Sequence, residues 1–169
     1  EGSEKYNEHI RSIARRVLIE SLRRQDGHPH DEVAILTRLN MTYTSQPILG
    51  YWDDNAGTSL IFPHRSIEYN FMLDENLERT LVFVHNHPCN ERLSLNDILL
   101  FLSTPQIIAM VAIGNNGIMR YIVKESQDDI HYTDLANTTH LQFISKRKTE
   151  KEIYQDLYNN QIKYRIKLY

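Results

Sequence analysis

A chain of 169 residues, with 41% hydrophobic and 24% charged residues, is long enough for one domain with its own core, and this composition excludes a disordered polymer. The formal net charge of −3 gives no general attraction to nucleic acid or to a membrane surface. No apolar run approaches the roughly 20 residues of a membrane-spanning helix, and the single cysteine, Cys89, excludes an internal disulfide and favours a reducing compartment.

The first part of the chain predicts one long helix followed by a strand. Apolar residues recur with a helical period between Ile10 and Leu22, which predicts an amphipathic helix. Ser3 is the expected cap at its start, and a loop that contains Gly and Pro is expected to end it. The segment "DEVAILTRL" then predicts a strand that begins near Glu32.

The middle of the chain alternates between strands and helices. The segments "QPILGYW" and "GTSLIFP" predict two strands, joined by the turn-rich "DDNAG". "HRSIEYNFMLDENL" predicts a helix with Ile67, Phe71, Met72 and Leu77 on its apolar face. "TLVFVHNHP" predicts a buried strand, and "SLNDILLFLS" predicts a helix that ends before a proline.

The last part of the chain begins with a hairpin. "QIIAMVAIG" and "IMRYIVK" flank "NNG", and Asn-Gly supplies the positive φ that a two-residue turn needs. No element is predicted between Lys124 and Lys146. In the basic tail, "EKEIYQDLYNNQI" predicts a helix, whereas "KYRIKLY" alternates and fits either a helix or a strand. This mixed order predicts an α/β fold, with a domain over residues 1–145 and a basic helical tail over residues 146–169 that packs on the domain or extends from it.

The stretch "VHNHP" carries the clearest chemical signal. Side chains alternate along a strand, so His85 and His87 point to the same face at the strand end. Asp97 is expected in the first turn of the next helix, from where it can fold back toward them. Two imidazoles and a carboxylate suit zinc, and three protein ligands leave the fourth position open, as in catalytic zinc sites.

The segment Ser94 to Asp97 also has a purely structural interpretation. Serine at a helix start, with a carboxylate three residues later, is a capping-box pattern that needs no metal. On its own, this interpretation is the more common one for such a short motif. The paired histidines favour the metal site, and the two roles are compatible because a helix start holds Asp97 rigidly.

"HNHP" followed by "SLND" resembles the His-x-His-Pro…Ser-x-x-Asp signature of the JAMM, or MPN-plus, zinc metalloproteases, and is most similar to the RadC-like and phage- or toxin-associated JAB-type bacterial branches. The resemblance implies a single MPN/cytidine-deaminase-like domain, with a central mixed β-sheet flanked by helices. It implies zinc on His85, His87 and Asp97, with Ser94 stabilising the oxyanion. Many members have seven residues between the second histidine and the serine, and this chain has six.

The resemblance also implies a general base, a glutamate at the start of the first core strand. Glu32 occupies that place in the predicted order of elements. Glu68 is the alternative, although it lies in a predicted helix. A base must come within hydrogen-bond reach of the water that it deprotonates, and 53 residues separate Glu32 from His85, so only the fold can bring them together.

The expected function is therefore zinc-dependent hydrolysis of an amide bond in a protein or peptide, for which a ubiquitin-like conjugate is one candidate substrate. Two alternatives remain, a RadC-like DNA-associated domain and a metal-free MPN scaffold. No membrane partner is expected, and nucleic acid is not favoured. The opening Glu-Gly-Ser suggests a piece of a larger protein or complex. The expected location is the cytoplasm, either of the producing cell or of a cell to which the larger protein is delivered.

Three other features have weaker functional interpretations. His28 and His30 form a second His-x-His pair, but no Ser-x-x-Asp follows them, so a loop is expected there. Cys89 could act as a nucleophile or an extra ligand, yet no cysteine-centred motif surrounds it. The basic, tyrosine-rich tail could contact nucleic acid, and a docking helix with a solvated charged face is the preferred interpretation.

Overall fold

The computed structural model describes residues 2–23, 32–53, 58–61, 63–75, 79–87 and 92–169. The helices are α1 Gly2–Arg23, α2 Ile67–Asp74, α3 Leu95–Ser103, α4 Asp129–Ile144, α5 Glu150–Asn159 and α6 Gln161–Tyr164. The strands are β1 Val33–Arg38, β2 Ile48–Leu49, β3 Tyr51–Asp53, β4 Thr58–Leu60, β5 Leu81–His87, β6 Ile107–Gly114, β7 Met119–Lys124 and β8 Ile166–Leu168. None of the described helices is long and apolar enough to cross a membrane.

A six-stranded mixed sheet forms the centre of the domain, with strand order β2-β1-β5-β6-β7-β8. Strands β5 and β6 are parallel, and the other neighbours in this sheet are antiparallel. Parallel neighbours need a crossover, and α3 supplies it, so α3 starts where β5 ends. Strands β3 and β4 form a separate two-stranded sheet. The predicted α/β class, with a mixed sheet flanked by helices, is confirmed.

The two faces of the sheet are covered by different helices. Helix α1 packs on one face against alternate residues of the sheet, among them Val33, Ile35, Val82 and Val84. Helices α2, α3, α4 and α5 contribute buried residues to the opposite face, together with Ala34, Leu36, Leu81 and Phe83 of the same two strands. Because β1 and β5 are apolar on both faces, their sequences are nearly continuous hydrophobic runs.

Helices α1 and α2 are present as predicted, but some of the residues that were expected to be buried in them are exposed. In α1, Ile10 and Val17 are buried as predicted, whereas Leu22, one residue before the end of the helix, is 56% exposed. Ser3 was expected at the cap position, but α1 already begins one residue earlier, at Gly2. In α2, Ile67 is 89% exposed, and the buried residues are Tyr69 and Met72 (the latter as predicted). This helix has only eight residues, and the side that packs against the core carries Tyr69 and Met72. Ile67 lies on another side of the helix and is therefore exposed.

Helix α4 was missed from the sequence. Its N-cap, Asp128, accepts a hydrogen bond from the backbone N–H of His131. Only Tyr132, Ala136 and Thr139 are buried. Exposed residues of the helix include Ile130 and Leu141, so apolar side chains occur on several sides and the amphipathic period that predicts a helix is absent.

The segment from Lys146 onward contributes to the same core and the same sheet. Ile153 and Leu157 of α5 are buried in the core cluster of the α3 face. The ambiguous "KYRIKLY" becomes strand β8, with Ile166 and Leu168 buried, and it pairs antiparallel with β7. The helix prediction for the preceding residues is confirmed by α5 and α6.

The hairpin between β6 and β7 is present as predicted, but its turn has three residues. The N–H of Gly114 donates to the carbonyl of Ile118 at 3.0 Å, and the N–H of Gly117 donates to the carbonyl of Gly114 at 2.8 Å. Gly117 has a φ of +79°, which its missing side chain permits. One left-handed glycine closes a three-residue hairpin loop, so Asn116 does not need a positive φ.

Candidate metal centre

The two histidines of β5 lie on the α3 face of the sheet, near the carboxyl end of the strand. Both are buried, with 2% of His85 and 8% of His87 exposed. Small residues flank them, since His85 lies between Ala34 and Ala112 on the neighbouring strands and His87 lies beside Gly114. The two alanines and the glycine leave room for both imidazole rings on this face.

Helix α3 places a carboxylate at the same point. Asp97 is in its first turn, and Ser94 is its N-cap. The backbone N–H and the hydroxyl of Ser94 donate to Oδ2 of Asp97 at 2.7 and 2.8 Å, and the N–H of Asp97 donates to Oγ of Ser94 at 3.1 Å. The predicted capping box is therefore present, and it fixes the direction of the Asp97 carboxylate.

The three side chains converge on one point. The Nε2 atoms of His85 and His87 are 2.9 Å apart, Oδ1 of Asp97 is 3.3 Å from His85 Nε2, and Oδ2 is 3.1 Å from His87 Nε2. One ligand atom from each residue lies within 4.8 Å of the others, so the group could hold a metal ion. Ligands about 2.0–2.1 Å from a tetrahedral ion lie roughly 3.3 Å apart. The 2.9 Å between the two Nε2 atoms is near that separation, and each Nε2 atom has a different oxygen of Asp97 as its near neighbour.

No family model, curated protein or solved structure matches this chain. What the chain can do is therefore inferred from its own side chains. Two imidazole nitrogens and one carboxylate converge at the C-terminal end of a buried strand, beside the start of a crossover helix. In open α/β sheets this end of the strands is where ligands usually bind.

Glu32 reaches the same region from the neighbouring strand. Ala34 pairs with His85, and the antiparallel register continued by two residues puts Glu32 opposite His87, on the face of the histidines. Burial raises the pKa of Glu32, and His85, His87 and Asp97 also influence that pKa through their charges. Oε2 of Glu32 accepts a hydrogen bond from the backbone N–H of Ile61 at 3.1 Å, which holds the carboxylate in place.

The charges of the site favour an ionised aspartate. Burial alone would raise the pKa of Asp97, but the charges and hydrogen bonds of His85 and His87 outweigh burial and hold that pKa well below its usual range. An ionised carboxylate between two imidazoles is the form that binds a cation. Nδ1 of His85 is buried and has no hydrogen-bond partner among the described residues, so the group that usually orients such a ligand is not among them.

The rival glutamate lies elsewhere in the structure. Oε1 of Glu68 accepts hydrogen bonds from the N–H of Gln46 at 3.1 Å and from the hydroxyl of Tyr43 at 3.3 Å. These bonds attach α2 to the segment between β1 and β2, and Glu68 is not among the charges that influence the pKa of Glu32 or Asp97. His28, His30 and Cys89 lie outside the described residues.

Two residues that position the site were missed from the sequence. Asn86, on the opposite face from the histidines, accepts a hydrogen bond from the N–H of Val33 at 2.7 Å and donates to Oγ of Ser21 at 3.1 Å. Asn86 therefore joins β5 both to α1 and to Val33, the residue that follows Glu32. Oε1 of Glu150 accepts from the N–H of Leu95 at 2.6 Å, at the start of α3. The sequence signal for Asn86 was an asparagine at the end of an apolar strand, since a polar side chain buried there needs hydrogen-bond partners. Glu150 gave no signal because its contact is 55 residues distant.

Proposed function

We propose that this chain is a zinc-dependent amide hydrolase that acts on a protein or peptide, by the type of chemistry that its resemblance to the JAMM proteases implies. The observation that carries the proposal is the convergence of His85 Nε2, His87 Nε2 and an Asp97 oxygen, with Glu32 immediately before the adjacent strand β1. Three protein ligands leave a further coordination position, which is the arrangement of a catalytic zinc rather than a structural one.

The choice of zinc rests on the donor set. Neutral imidazole and carboxylate are common zinc ligands, whereas calcium and magnesium prefer sites built from oxygen alone. When bound, zinc supplies Lewis acidity and brings the pKa of a coordinated water near neutrality. His85 and His87 present their Nε2 atoms to the ion, and Asp97 contributes a negative charge that the capping box holds in position.

Glu32 is assigned the role of general base. Its carboxylate takes a proton from the attacking water and returns it to the leaving amine. Burial raises its pKa, which makes it a stronger proton acceptor than an exposed glutamate. The hydrogen bond from Ile61 restrains one of its oxygens, so the carboxylate keeps its position while it gains and loses the proton.

Ser94 is assigned to the developing oxyanion. Its hydroxyl donates to Oδ2 of Asp97 at 2.8 Å, so this proton must turn from the carboxylate toward the substrate oxygen during the reaction. The backbone N–H of Ser94 keeps its 2.7 Å bond to the same Oδ2. Asp97 thus stays in place while the serine hydroxyl is used elsewhere.

A lysine isopeptide in a ubiquitin-like conjugate is the proposed bond, because it is the usual substrate of the family that the motif resembles. The proposed location is the cytoplasm, which the chain reaches either directly or by delivery as part of a larger protein. A DNA-associated role has less support, since the chain carries a net charge of −3. If the chain were instead a metal-free scaffold, its His85, His87 and Asp97 group would bind no ion.

The deciding experiment combines metal analysis with an activity assay. Protein purified without chelator should contain about one zinc per chain by elemental analysis, and it should cleave an isopeptide-linked ubiquitin-like conjugate or a branched lysine peptide. Removal of zinc with a chelator should abolish cleavage, and added zinc should restore it. Protein that neither contains nor takes up zinc would contradict the proposal, and active protein that retains full turnover after its zinc has been removed would contradict it as well.

A further inference from the structure

Next to Ser94 of the metal centre, the structure contains a cleft whose other lining residues have no role in the proposed reaction. We propose that this cleft binds an acidic, extended segment of the protein substrate and thereby selects what is cleaved. That the bound segment belongs to a substrate rests on the proposed function, but binding of an acidic segment to the cleft can be measured separately. The cleft, of about 600 Å³, lies between the start of α3, strand β7 and the start of α5.

The cleft adjoins the metal centre through Ser94 and extends away from it. Ser94, the hydrogen-bond partner of Asp97, is part of its wall. An adjoining hollow of about 390 Å³ shares Arg92, Arg120 and Tyr154 with the cleft and continues to Tyr169 at the end of β8. Together they form a long depression, which suits several residues of an extended peptide better than a single small anion.

The charge of the cleft is opposite to that of the whole chain. Among the described residues that line the cleft, Arg92, Arg120 and Lys151 are cationic and Glu150 is the one carboxylate, a local net charge of +2 in a chain of −3. No carboxylate among the described residues forms an ion pair with any of the three cations. Glu150 already accepts the 2.6 Å hydrogen bond from Leu95, so the three cations remain available to carboxylates from a partner.

The floor of the cleft is apolar. Its aliphatic lining residues are Leu95, Ile98 and Ile153, which are 5%, 1% and 2% exposed and so present only a small apolar area to a partner. A segment that alternates apolar and acidic residues would place one set of side chains on this floor and the other against the cations, since successive side chains of an extended chain point to opposite sides. Interfaces of this kind obtain selectivity from complementary charge more than from area.

An acidic protein segment fits this surface better than nucleic acid does. Single-stranded nucleic acid needs exposed aromatic faces on which bases stack. The guanidinium of Arg92 lies over the ring of Tyr154, 4.8 Å from its centroid, so that ring face is already covered. Tyr158 and Tyr169 of the adjoining hollow are exposed, so the choice of a protein segment rests on the aliphatic floor of the cleft and on the amide-hydrolase donors of the metal centre beside it.

Binding is tested on zinc-loaded Glu32→Gln protein, in which the cleft is intact and turnover is not expected. Fluorescence anisotropy compares three short labelled peptides in which leucine alternates with glutamate, glutamine or lysine. The glutamate peptide should bind at least about tenfold more tightly than the other two, a difference of about 1.4 kcal/mol. Raised salt should weaken its binding.

Charge reversal locates the binding surface. Arg120→Glu and the exposed Lys151→Glu should each weaken binding of the glutamate peptide by about fivefold or more, because a favourable pair becomes a repulsive one. Arg16→Glu, on an exposed position of α1 outside the cleft, changes the net charge equally and should have no such effect. Circular dichroism checks that each variant is folded. If Arg120→Glu does not fold because Arg120 is half-buried, the exposed Lys151→Glu still tests the cleft.

Three results would overturn the inference. The peptides could bind alike, Arg16→Glu could weaken binding as much as the cleft variants do, or a labelled single-stranded oligonucleotide could bind more tightly than the glutamate peptide. Failure of the hydrolase proposal would show separately, as absent zinc and absent cleavage in the wild type, while the charge preference would still be measured by binding.

Discussion

Ser94 and Asp97 hold each other through three hydrogen bonds of 2.7, 2.8 and 3.1 Å at the start of α3. Thr149 and Glu152 form the same reciprocal box at the start of α5, with bonds of 2.8, 2.8 and 3.3 Å. The second box has no histidines beside its carboxylate. The comparison shows that capping alone does not create a site, and that at Asp97 a cap and a possible ligand coexist in one side chain.

The first prediction concerns the metal ligands. His85→Ala and His87→Ala should lose bound zinc, because each removes one of three converging donors, and Asp97→Asn should weaken zinc binding, because it replaces a charged oxygen donor with a neutral one. Elemental analysis and a colorimetric zinc titration measure the effect. His140→Ala, at an exposed position of α4, is the matched control, and His28→Ala with His30→Ala tests the second His-x-His pair. A large zinc loss in these controls would mean that other histidines bind the metal.

The second prediction separates the two candidate bases. Glu32→Gln keeps the shape and the hydrogen bond from Ile61 but removes the proton acceptor. Zinc content and folding should be retained, while turnover should fall by about 100- to 10,000-fold. Glu68→Gln should change turnover little, since Glu68 binds Gln46 and Tyr43. Turnover lost in Glu68→Gln and kept in Glu32→Gln would reverse the assignment.

The elements that sequence reasoning predicted well are those with a strong local signal. The buried strand β5, the capped start of α3 and the Gly117 hairpin each depend on a few neighbouring residues. The convergence of His85, His87 and Asp97 followed from the same local logic, because a crossover helix starts where its strand ends.

What the sequence did not reveal depends on contacts between distant segments. Helix α4 exposes apolar residues such as Ile130, which removes the periodic signal. The strand that ends the chain is stabilised by pairing with β7, and no local pattern decided between strand and helix there. The bond between Glu150 and Leu95 joins residues 55 apart, so it could not be read from the motif around Asp97.

The third prediction uses the two capping boxes as a matched pair. Ser94→Ala and Thr149→Ala should each destabilise the fold by about 1 kcal/mol, because each removes the side chain that caps a helix. Only Ser94→Ala should also reduce turnover, by about 100- to 1,000-fold, as expected when an oxyanion donor is lost. Chemical denaturation and steady-state kinetics measure the two effects. Equal turnover in the two variants would restrict Ser94 to its structural role.

The fourth prediction concerns a buried amine far from the histidines in the chain. Lys124 is 7% exposed, its Nζ donates to the carbonyl of Thr104 at 2.8 Å, and it lies 4.9 and 5.2 Å from the ring centroids of Phe101 and Tyr132. Burial lowers its pKa to about 8; Asp129 opposes the shift and Arg79 adds to it.

The pH dependence follows from that lowered pKa. Between about pH 8 and the unfolded value of 10.5, the unfolded chain binds more protons at Lys124 than the folded chain does, so stability rises with pH across this window. Wild-type protein should therefore gain up to about 3 kcal/mol relative to Lys124→Met as the pH rises from about 7 to about 10. Urea unfolding at several pH values measures this difference, and the exposed Lys5→Met serves as the control. Because tyrosines such as Tyr6, whose pKa burial raises to about 12, act in the opposite direction at high pH in every variant, only the difference between variants is informative. Parallel pH profiles for wild type and Lys124→Met would mean that the amine stays charged and solvated inside the fold.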